Sequence, residues 1–135
     1  MEIAEITGVI PTYSTEHSSG MDLVSQQDVI IQPKEWNLIR TGTYIKLQEG
    51  YEAQVRSRSG LAYKEGVSVL NSPGTIDSDY RGEIGVILIN HSNKPFSVTK
   101  GMRIAQLVVA KYERINIGNV VKKTRGEGGF GSTGF

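Results

Sequence analysis

The densest group of reactive side chains in this sequence lies at residues 71–82. It contains two carboxylates, Asp77 and Asp79, which lie two residues apart and therefore share a face if the segment is a strand. Turn-forming residues lie at both ends of the segment, so we predict a hairpin whose exposed backbone can read a flat polar ring. A plainer interpretation stays open, in which the carboxylates cap turns or pair with Arg81 or Arg103.

A second group combines cationic and hydroxyl side chains at the point where a strand meets a short helix. The Arg58 guanidinium offers several hydrogen-bond donors, Ser59 offers a hydroxyl, and Gly60 offers a backbone without a side chain. The N-terminus of a helix favours the binding of phosphate. The alternative is a helix that is capped by Ser59 and carries an arginine on its surface. Nearer the N-terminus, Asp22 follows Gly20 and supplies a single carboxylate, which could equally belong to an Asx turn.

The last part of the chain, residues 122–135, differs in composition from the rest. It holds five glycines, three bases, one acid and two phenylalanines, which is too little apolar surface to order without a partner. Residues 126–131 match GxGxxG, but only four residues follow, so no helix can form and dinucleotide binding is excluded. The segment is either a disordered tail or an arm that closes over a ligand, with Arg125 for negative charge and Phe130 for stacking.

Strand-like runs separated by turns position these groups. Runs rich in valine, isoleucine, threonine and tyrosine recur about every 8–12 residues, which predicts a sandwich, barrel or jelly roll. The clearest five are residues 28–32, 43–47, 51–55, 83–89 and 103–109. One short helix is predicted over residues 59–66, beginning at Ser59 and ending at Gly66. The chain is therefore predicted to be all-β.

Composition limits the classes of function. A length of 135 residues supports one domain, and 15 basic against 14 acidic residues leave a charge of +1, without the basic excess of a nucleic-acid binder. No apolar run approaches the length of a membrane span, and no secretory signal follows Met1. The absence of cysteine excludes thiol catalysis, and His17 and His91 lack metal-site spacing. We therefore predict a soluble, cytoplasmic protein without nucleic-acid or membrane partners. The sequence is compatible with a cellular or a viral source.

Five short motifs occur in a fixed order along residues 19–134, and this order resembles that of the trimeric dUTPase family, the deoxyuridine 5′-triphosphate nucleotidohydrolases. In chain order they are SGMDL (19–23), RSGL (58–61), Asn71 with GTIDSDYRG (74–82), GMRIAQ (101–106) and RGEGGFGSTG (125–134). The third and fifth motifs are the most specific. Two positions depart from the family pattern: Ser57 replaces a frequent proline, which predicts a looser loop before Arg58, and Ser19 replaces a commoner alanine.

The resemblance implies a fold, an assembly and a reaction. The fold is an all-β, jelly-roll-like subunit, here with a β domain at residues 1–121, one short helix and a flexible glycine-rich C-terminal arm at residues 122–135. The assembly is a homotrimer whose active sites are shared between subunits. The reaction is the hydrolysis of dUTP to dUMP and pyrophosphate with Mg²⁺, which limits uracil incorporation into DNA and supplies dUMP for dTMP synthesis.

The resemblance also implies roles for individual residues. Asp77, which also contacts the substrate, is the general base that deprotonates the attacking water, and Asp22 reaches the Mg²⁺ ion through water. Tyr80 lies under the deoxyribose and excludes a 2′-hydroxyl, and Phe130 stacks on uracil. Arg103 is interpreted as a buried ion-pair partner with a structural role. The remaining substrate-binding positions are Arg58, Ser59, Gly60, Asn71, Gly74, Thr75, Ile76, Gly85, Gln106, Arg125, Gly131 and Ser132.

Two other functions stay open on the sequence alone. dCTP deaminase, including bifunctional deaminase–diphosphatases, belongs to the same superfamily, although no motif in this chain requires deamination. The alternative from another class is a non-catalytic β domain that binds a partner through its tail. The intact Asp77 argues against that alternative, because a domain without catalysis does not need the carboxylate.

Overall fold

The computed structural model describes residues 2–118, which form twelve β-strands and one helix. In chain order the elements are β1 (Ala4–Gly8), β2 (Thr12–Tyr13), β3 (Met21–Val24), β4 (Val29–Ile31), β5 (Trp36–Arg40), β6 (Thr43–Leu47), β7 (Tyr51–Arg56), α1 (Ser59–Glu65), β8 (Val67–Val69), β9 (Gly74–Ile76), β10 (Gly85–Asn90), β11 (Phe96–Val98) and β12 (Arg103–Lys111). The all-β prediction is confirmed. The five predicted runs correspond to β4, β6, β7, β10 and β12, with ends that agree within two residues.

The order of the strands in the sheets differs from their order along the chain. The largest sheet has the order β2-β3-β12-β7-β9, and a second sheet has the order β5-β10-β8. Two further pairs join β1 with β6 and β4 with β11. All pairings among the described strands are antiparallel, as expected for a jelly-roll-like fold.

One continuous core draws aliphatic side chains from every sheet. In β6 the burial alternates regularly, with Thr43, Ile45 and Leu47 inside and the two residues between them exposed. Fully buried aliphatic residues of other strands include Leu23, Ile31, Ile39, Val86, Leu88, Ile104 and Leu107. A slip of one residue would turn such a set towards solvent, so this alternation specifies the register of β6 and of β9, which alternates in the same way.

The helix begins differently from the sequence prediction. Arg58 is the N-cap: its backbone is extended (φ −88°, ψ 127°), and its carbonyl accepts the first helical hydrogen bond, from the Ala62 N–H at 3.1 Å. Ser59 is already helical and no side chain caps this end, so the predicted serine cap is wrong. Gly66 ends the helix in the left-handed conformation (φ 65°), as predicted. Among residues 2–118, no helix is long and apolar enough to cross a membrane.

Candidate active site

A narrow slot of about 210 Å³ lies between the outer strand β9 and the start of β10. Val55, Glu83 and Ile84 form part of its lining. The other lining residues are the seven positions predicted from the sequence for base, sugar and catalysis: Asn71, Gly74, Thr75, Ile76, Asp77, Tyr80 and Gly85. The structure therefore brings this group of predicted residues together in one cavity.

The strand β9 offers its backbone to the slot because only one of its edges is paired. It lies at the end of the five-stranded sheet and pairs with β7, where Thr75 is opposite Gln54. Its other edge pairs with no strand of the described chain, so N–H and C=O groups there are available to a ligand. Glycine at position 74 lets Asn71 come close, since a Cβ there would lie 3.1 Å from the Asn71 Nδ2. Backbone donors and acceptors beside an amide can recognise a flat heterocycle.

Asp77 stands at the mouth of the slot, directly after the last residue of β9. Its side chain is exposed, and it also lines an open cleft of about 800 Å³ on the outer side. Within residues 2–118, neither Asp77 nor Asp79 forms an ion pair, so the alternative of pairing with Arg81 or Arg103 is wrong. The predicted shared strand face is also wrong, because both residues follow β9 in a turn closed by the Tyr80 N–H on the Asp77 carbonyl at 3.1 Å.

Asp22 lies at the centre of a charged cluster on strands β3 and β12. Its carboxylate is largely buried and accepts a hydrogen bond from the Ser14 hydroxyl at 2.9 Å. The Arg58 Nε lies 3.9 Å from its Oδ1, and the Arg103 Nη1 lies 3.8 Å from its Oδ2. Gln106 is opposite Asp22 in the β3–β12 pair. Asp22 therefore belongs to a strand and not to an Asx turn, and two arginines give the cluster a net positive charge that suits phosphate.

Two expectations for this cluster are corrected by the structure. Arg103 forms an ion pair, as expected, and its partner is Asp22, but its side chain is 57% exposed and not buried, so the guanidinium stays accessible to an anion. Ser57 does not loosen the loop before Arg58. Its hydroxyl accepts a hydrogen bond from the Val69 N–H at 2.9 Å and ties that loop to β8.

Ser59 and Gly60 lie exposed in the first turn of α1, next to Arg58. A Cβ at Gly60 would meet nothing within 4 Å in the described part of the chain, so no described residue covers its backbone. Asp22 is on β3, and β12 and β7 lie between β3 and β9, so three inter-strand spacings, about 14 Å, separate Asp22 from β9. The cluster residues on β12 are one spacing closer to β9. A single chain therefore places the predicted residues in two groups.

The predicted tail residues lie outside the described residues. These are Arg125, Phe130, Gly131 and Ser132. The predicted boundary between a β domain at 1–121 and an arm at 122–135 lies there as well.

Sequence reasoning missed the residues that fix the wall of the slot formed by Glu83 and Ile84. The Glu83 Oε1 lies 3.2 Å from the Arg40 Nε, and its Oε2 accepts the Gly42 N–H at 2.8 Å. The buried Thr41 hydroxyl donates to the Ile84 carbonyl at 2.6 Å. These partners are more than forty positions apart in the chain, so no local pattern could have indicated them.

Comparison with known proteins agrees with the order of the five motifs. A protein-family model described as dUTPase matches residues 7–134. The chain therefore belongs to the dUTPase family, whose members are hydrolases of deoxyuridine triphosphate.

Curated relatives carry the same description over almost the whole chain. The deoxyuridine 5′-triphosphate nucleotidohydrolase of Rickettsia prowazekii (strain Madrid E) is 54% identical over 139 residues, which cover 99% of this chain and 94% of the relative. The enzyme of the same name from Rickettsia canadensis (strain McKiel) is 58% identical over 132 residues, which cover 94% of this chain and 89% of the relative.

Solved structures of phage dUTPases have a similar fold. The Staphylococcus bacteriophage 80alpha dUTPase with dUPNHPP aligns with a TM-score of 0.84 at 24% identity, over 100% of both chains. A mutant dUTPase from phage phi11 of S. aureus, solved with a structural Mg(II) ion, aligns with a TM-score of 0.82 at 20% identity, over 90% of this chain and 98% of that chain. At these identities the matches bear on the fold alone, and they agree with the all-β subunit.

Proposed function

We propose that Asp77 of this dUTP nucleotidohydrolase acts as the general base in the hydrolysis of dUTP to dUMP and pyrophosphate. The observation that carries the proposal is the exposed Asp77 carboxylate at the mouth of the slot, which forms no ion pair among residues 2–118. A carboxylate in this position can take a proton from a water molecule as that water attacks the α-phosphorus. Such a base contributes about 10²–10⁴-fold to the rate.

The slot is proposed to hold uracil. Its polar lining supports this assignment: the unpaired edge of β9, the Gly85 backbone on the other side and the Asn71 amide can pair with the polar edge of the base. Cytosine carries an amino donor where uracil carries the O4 acceptor, so cytosine would leave these groups unpaired. The deoxyribose would then lie against Tyr80 at the rim, and the close backbone would leave no room for the 5-methyl group of thymine.

The phosphates are proposed to bind at the Asp22 cluster. Arg58 and Gln106 supply donors, while Ser59 and Gly60 supply a hydroxyl and an open backbone. The excess positive charge of the cluster would neutralise part of the charge that develops on the α-phosphate and on the leaving pyrophosphate.

Mg²⁺ is the proposed cofactor, and the residues present fit an ion that is carried mainly by the substrate. Among residues 2–118, no three histidine or acidic side chains lie together to hold a metal by themselves. The Asp22 Oδ1 lies 3.9 Å from the Arg58 Nε, beyond hydrogen-bond distance, so this oxygen can accept a hydrogen bond from a Mg²⁺-bound water. The ion supplies positive charge that polarises the phosphate oxygens when it is bound.

The C-terminal arm is proposed to complete the site. Arg125 would contact the phosphates, Phe130 would stack on uracil, and Gly131 and Ser132 would approach the substrate through their backbone. This part of the proposal rests on the sequence motif at residues 125–134. We also propose that the enzyme acts in the cytoplasm, where removal of free dUTP limits uracil incorporation into DNA and supplies dUMP for dTMP synthesis.

A homotrimer with shared sites is proposed because of the separation of the two groups of residues. The unpaired edge of β9 faces away from β7, β12 and the Asp22 cluster of the same chain. A second copy could bring its own Asp22 cluster to this edge, and a third could bring its arm. Two large apolar side chains of β5, Trp36 and Leu38, are 59% and 65% exposed, and Leu38 lies beside Gly85 of the slot, which supports contact with another copy.

We expect the enzyme to prefer dUTP strongly over related nucleotides. With Mg²⁺, kcat/KM for pyrophosphate release should be at least roughly several hundredfold higher for dUTP than for dCTP, dTTP or UTP, because a mismatched polar edge leaves buried groups unpaired. Release of ammonia from dCTP would instead indicate a deaminase. Comparable rates with UTP would contradict the proposed role of Tyr80.

Mixing of inactive chains tests whether the sites are shared. Chains with Asp77→Asn and chains with Arg58→Ala are co-expressed in equal amounts. If each site takes Asp77 from one chain and Arg58 from another, about a quarter of the sites in the mixed trimers carry both intact groups. The mixture should therefore recover roughly a quarter of the wild-type activity. The matched control mixes Arg58→Ala with Gln106→Ala, which affect the same cluster and should give no gain over the mean of the parents. A test mixture without recovery would show that each site lies within one chain.

A further inference from the structure

The ring of Tyr80 lies directly on the backbone of Gly82. A Cβ added at Gly82 would collide with the Tyr80 Oη and would lie 2.7 Å from the ring atom Cζ. The Tyr80 hydroxyl also donates a hydrogen bond to the Glu83 carbonyl at 2.7 Å. The hydroxyl end of the ring is therefore held by the loop backbone, through contact with Gly82 and through the hydrogen bond to the Glu83 carbonyl.

Backbone conformation does not explain a glycine at position 82. The described glycines that adopt a positive φ are Gly8, Gly42, Gly50, Gly66 and Gly101. Gly82 is outside this group, so the local backbone would accept an L-residue without strain. The contact with the Tyr80 ring is therefore the constraint that a side chain at position 82 would violate.

The end of the loop that carries the ring is fixed to the body of the protein. The Glu83 carboxylate binds Arg40 and the Gly42 N–H, at 3.2 Å and 2.8 Å. The next residue, Ile84, is almost fully buried, and its carbonyl accepts the Thr41 hydroxyl at 2.6 Å. Because this end of the loop is anchored, a methyl group added at position 82 displaces the ring more easily than it displaces the loop.

We propose that Gly82 positions the Tyr80 ring and, through it, sets the preference of the enzyme for deoxyribose over ribose. The inference rests on the proposed function, in which Tyr80 meets the sugar. Tyr80 lines the slot and is 43% exposed, so part of the ring is available to a ligand. Steric rejection of a 2′-hydroxyl depends on the ring position to within about 0.5 Å, which is a smaller movement than an added Cβ requires.

Recognition of the base is independent of Gly82. The groups proposed to read uracil lie on two walls. The backbone of β9 is held by the pairing of Thr75 with Gln54 and by the packing of Gly74 against Asn71, and Gly85 on the other wall is held by the pairing of β10 with β5. None of these contacts includes Tyr80 or Gly82. A displaced ring therefore changes selectivity for the sugar alone, whereas a general loosening of the site would change selectivity for the sugar and the base together.

The test compares kcat/KM for dUTP, UTP and dCTP in the wild type, in Gly82→Ala and in Gly118→Ala. In the Gly118 control the added Cβ meets no atom of residues 2–118 within 4 Å. We expect Gly82→Ala to lower the dUTP/UTP ratio by roughly tenfold or more, since overpacking moves the ring away from its position against the sugar. The dUTP/dCTP ratio should stay within about twofold, as for independent sites, and Gly118→Ala should leave both ratios unchanged.

An unchanged dUTP/UTP ratio in Gly82→Ala, or an equal fall in both ratios, overturns the inference. If thermal unfolding shows that Gly82→Ala does not fold, Tyr80→Phe decides, because it keeps the ring and loses the hydrogen bond to the Glu83 carbonyl. It should lower the dUTP/UTP ratio by about threefold or more, and a wild-type ratio would overturn the inference. A wild type that uses UTP as well as dUTP contradicts the proposed function itself, so the two failures are distinguishable.

Discussion

Asparagine at position 77 is expected to lower kcat for dUTP hydrolysis by about 100-fold or more while the affinity for the nucleotide changes little. The amide keeps the shape of the carboxylate but cannot accept the proton of the attacking water. No ion pair among residues 2–118 involves Asp77, so the substitution removes no charge partner and should not unfold the protein. Pyrophosphate release measures turnover, and calorimetric titration with a non-hydrolysable dUTP analogue measures binding.

Asp79→Asn is the matched control for this prediction. It makes the same change of charge at an exposed position in the same turn, but Asp79 lines only the outer cleft, whereas Asp77 lines the cleft and the slot. Its turnover should stay close to that of the wild type. Normal turnover in Asp77→Asn together with a large loss in Asp79→Asn would identify Asp79 as the base.

A chain that ends after Thr124 is expected to lose at least about 100-fold in kcat/KM without unfolding. The cut removes Arg125, Phe130 and five glycines, and with them a cation for the phosphates, a ring for stacking and the cover that excludes water. The last strand in the described part of the chain, β12, ends at Lys111, so no described strand is cut. The thermal midpoint and the gel-filtration volume should therefore match those of the full chain.

Single substitutions in the same segment show how much of this loss comes from stacking. Phe130→Ala should cost about 1–3 kcal/mol of transition-state stabilisation, the energy of one stack between a base and an aromatic ring. Phe135→Ala makes the same change further along the segment and should have little effect. Full activity in the truncated chain would remove Arg125 and Phe130 from the site and leave the interpretation as a disordered tail.

Local chemistry explains what could be predicted from the sequence. The alternation along residues 43–47 predicts β6 because successive side chains of a strand point to opposite faces. Gly66 predicts the end of the helix because glycine accepts the left-handed conformation found there. The turn residues of segment 71–82 bring a short strand, a carboxylate and a tyrosine close together along the chain, and six of the seven predicted residues that line the slot consequently come from this segment.

Contacts between distant segments decided the rest of the structure. β9 ends before Asp77 because the extent of an outer strand depends on its pairing with β7, which the sequence of β9 does not encode. The sheet order β2-β3-β12-β7-β9 separates the Asp22 cluster from the slot, because the last strand of the described chain lies between two much earlier ones. The ion pairs of Asp22 and the anchor of Glu83 also join side chains that meet only after the sheets have formed. Short motifs of neighbouring residues therefore indicated which side chains could bind and hydrolyse a nucleotide. The pairing of distant strands decided that one chain holds these side chains in two separate groups, at the slot and at the Asp22 cluster.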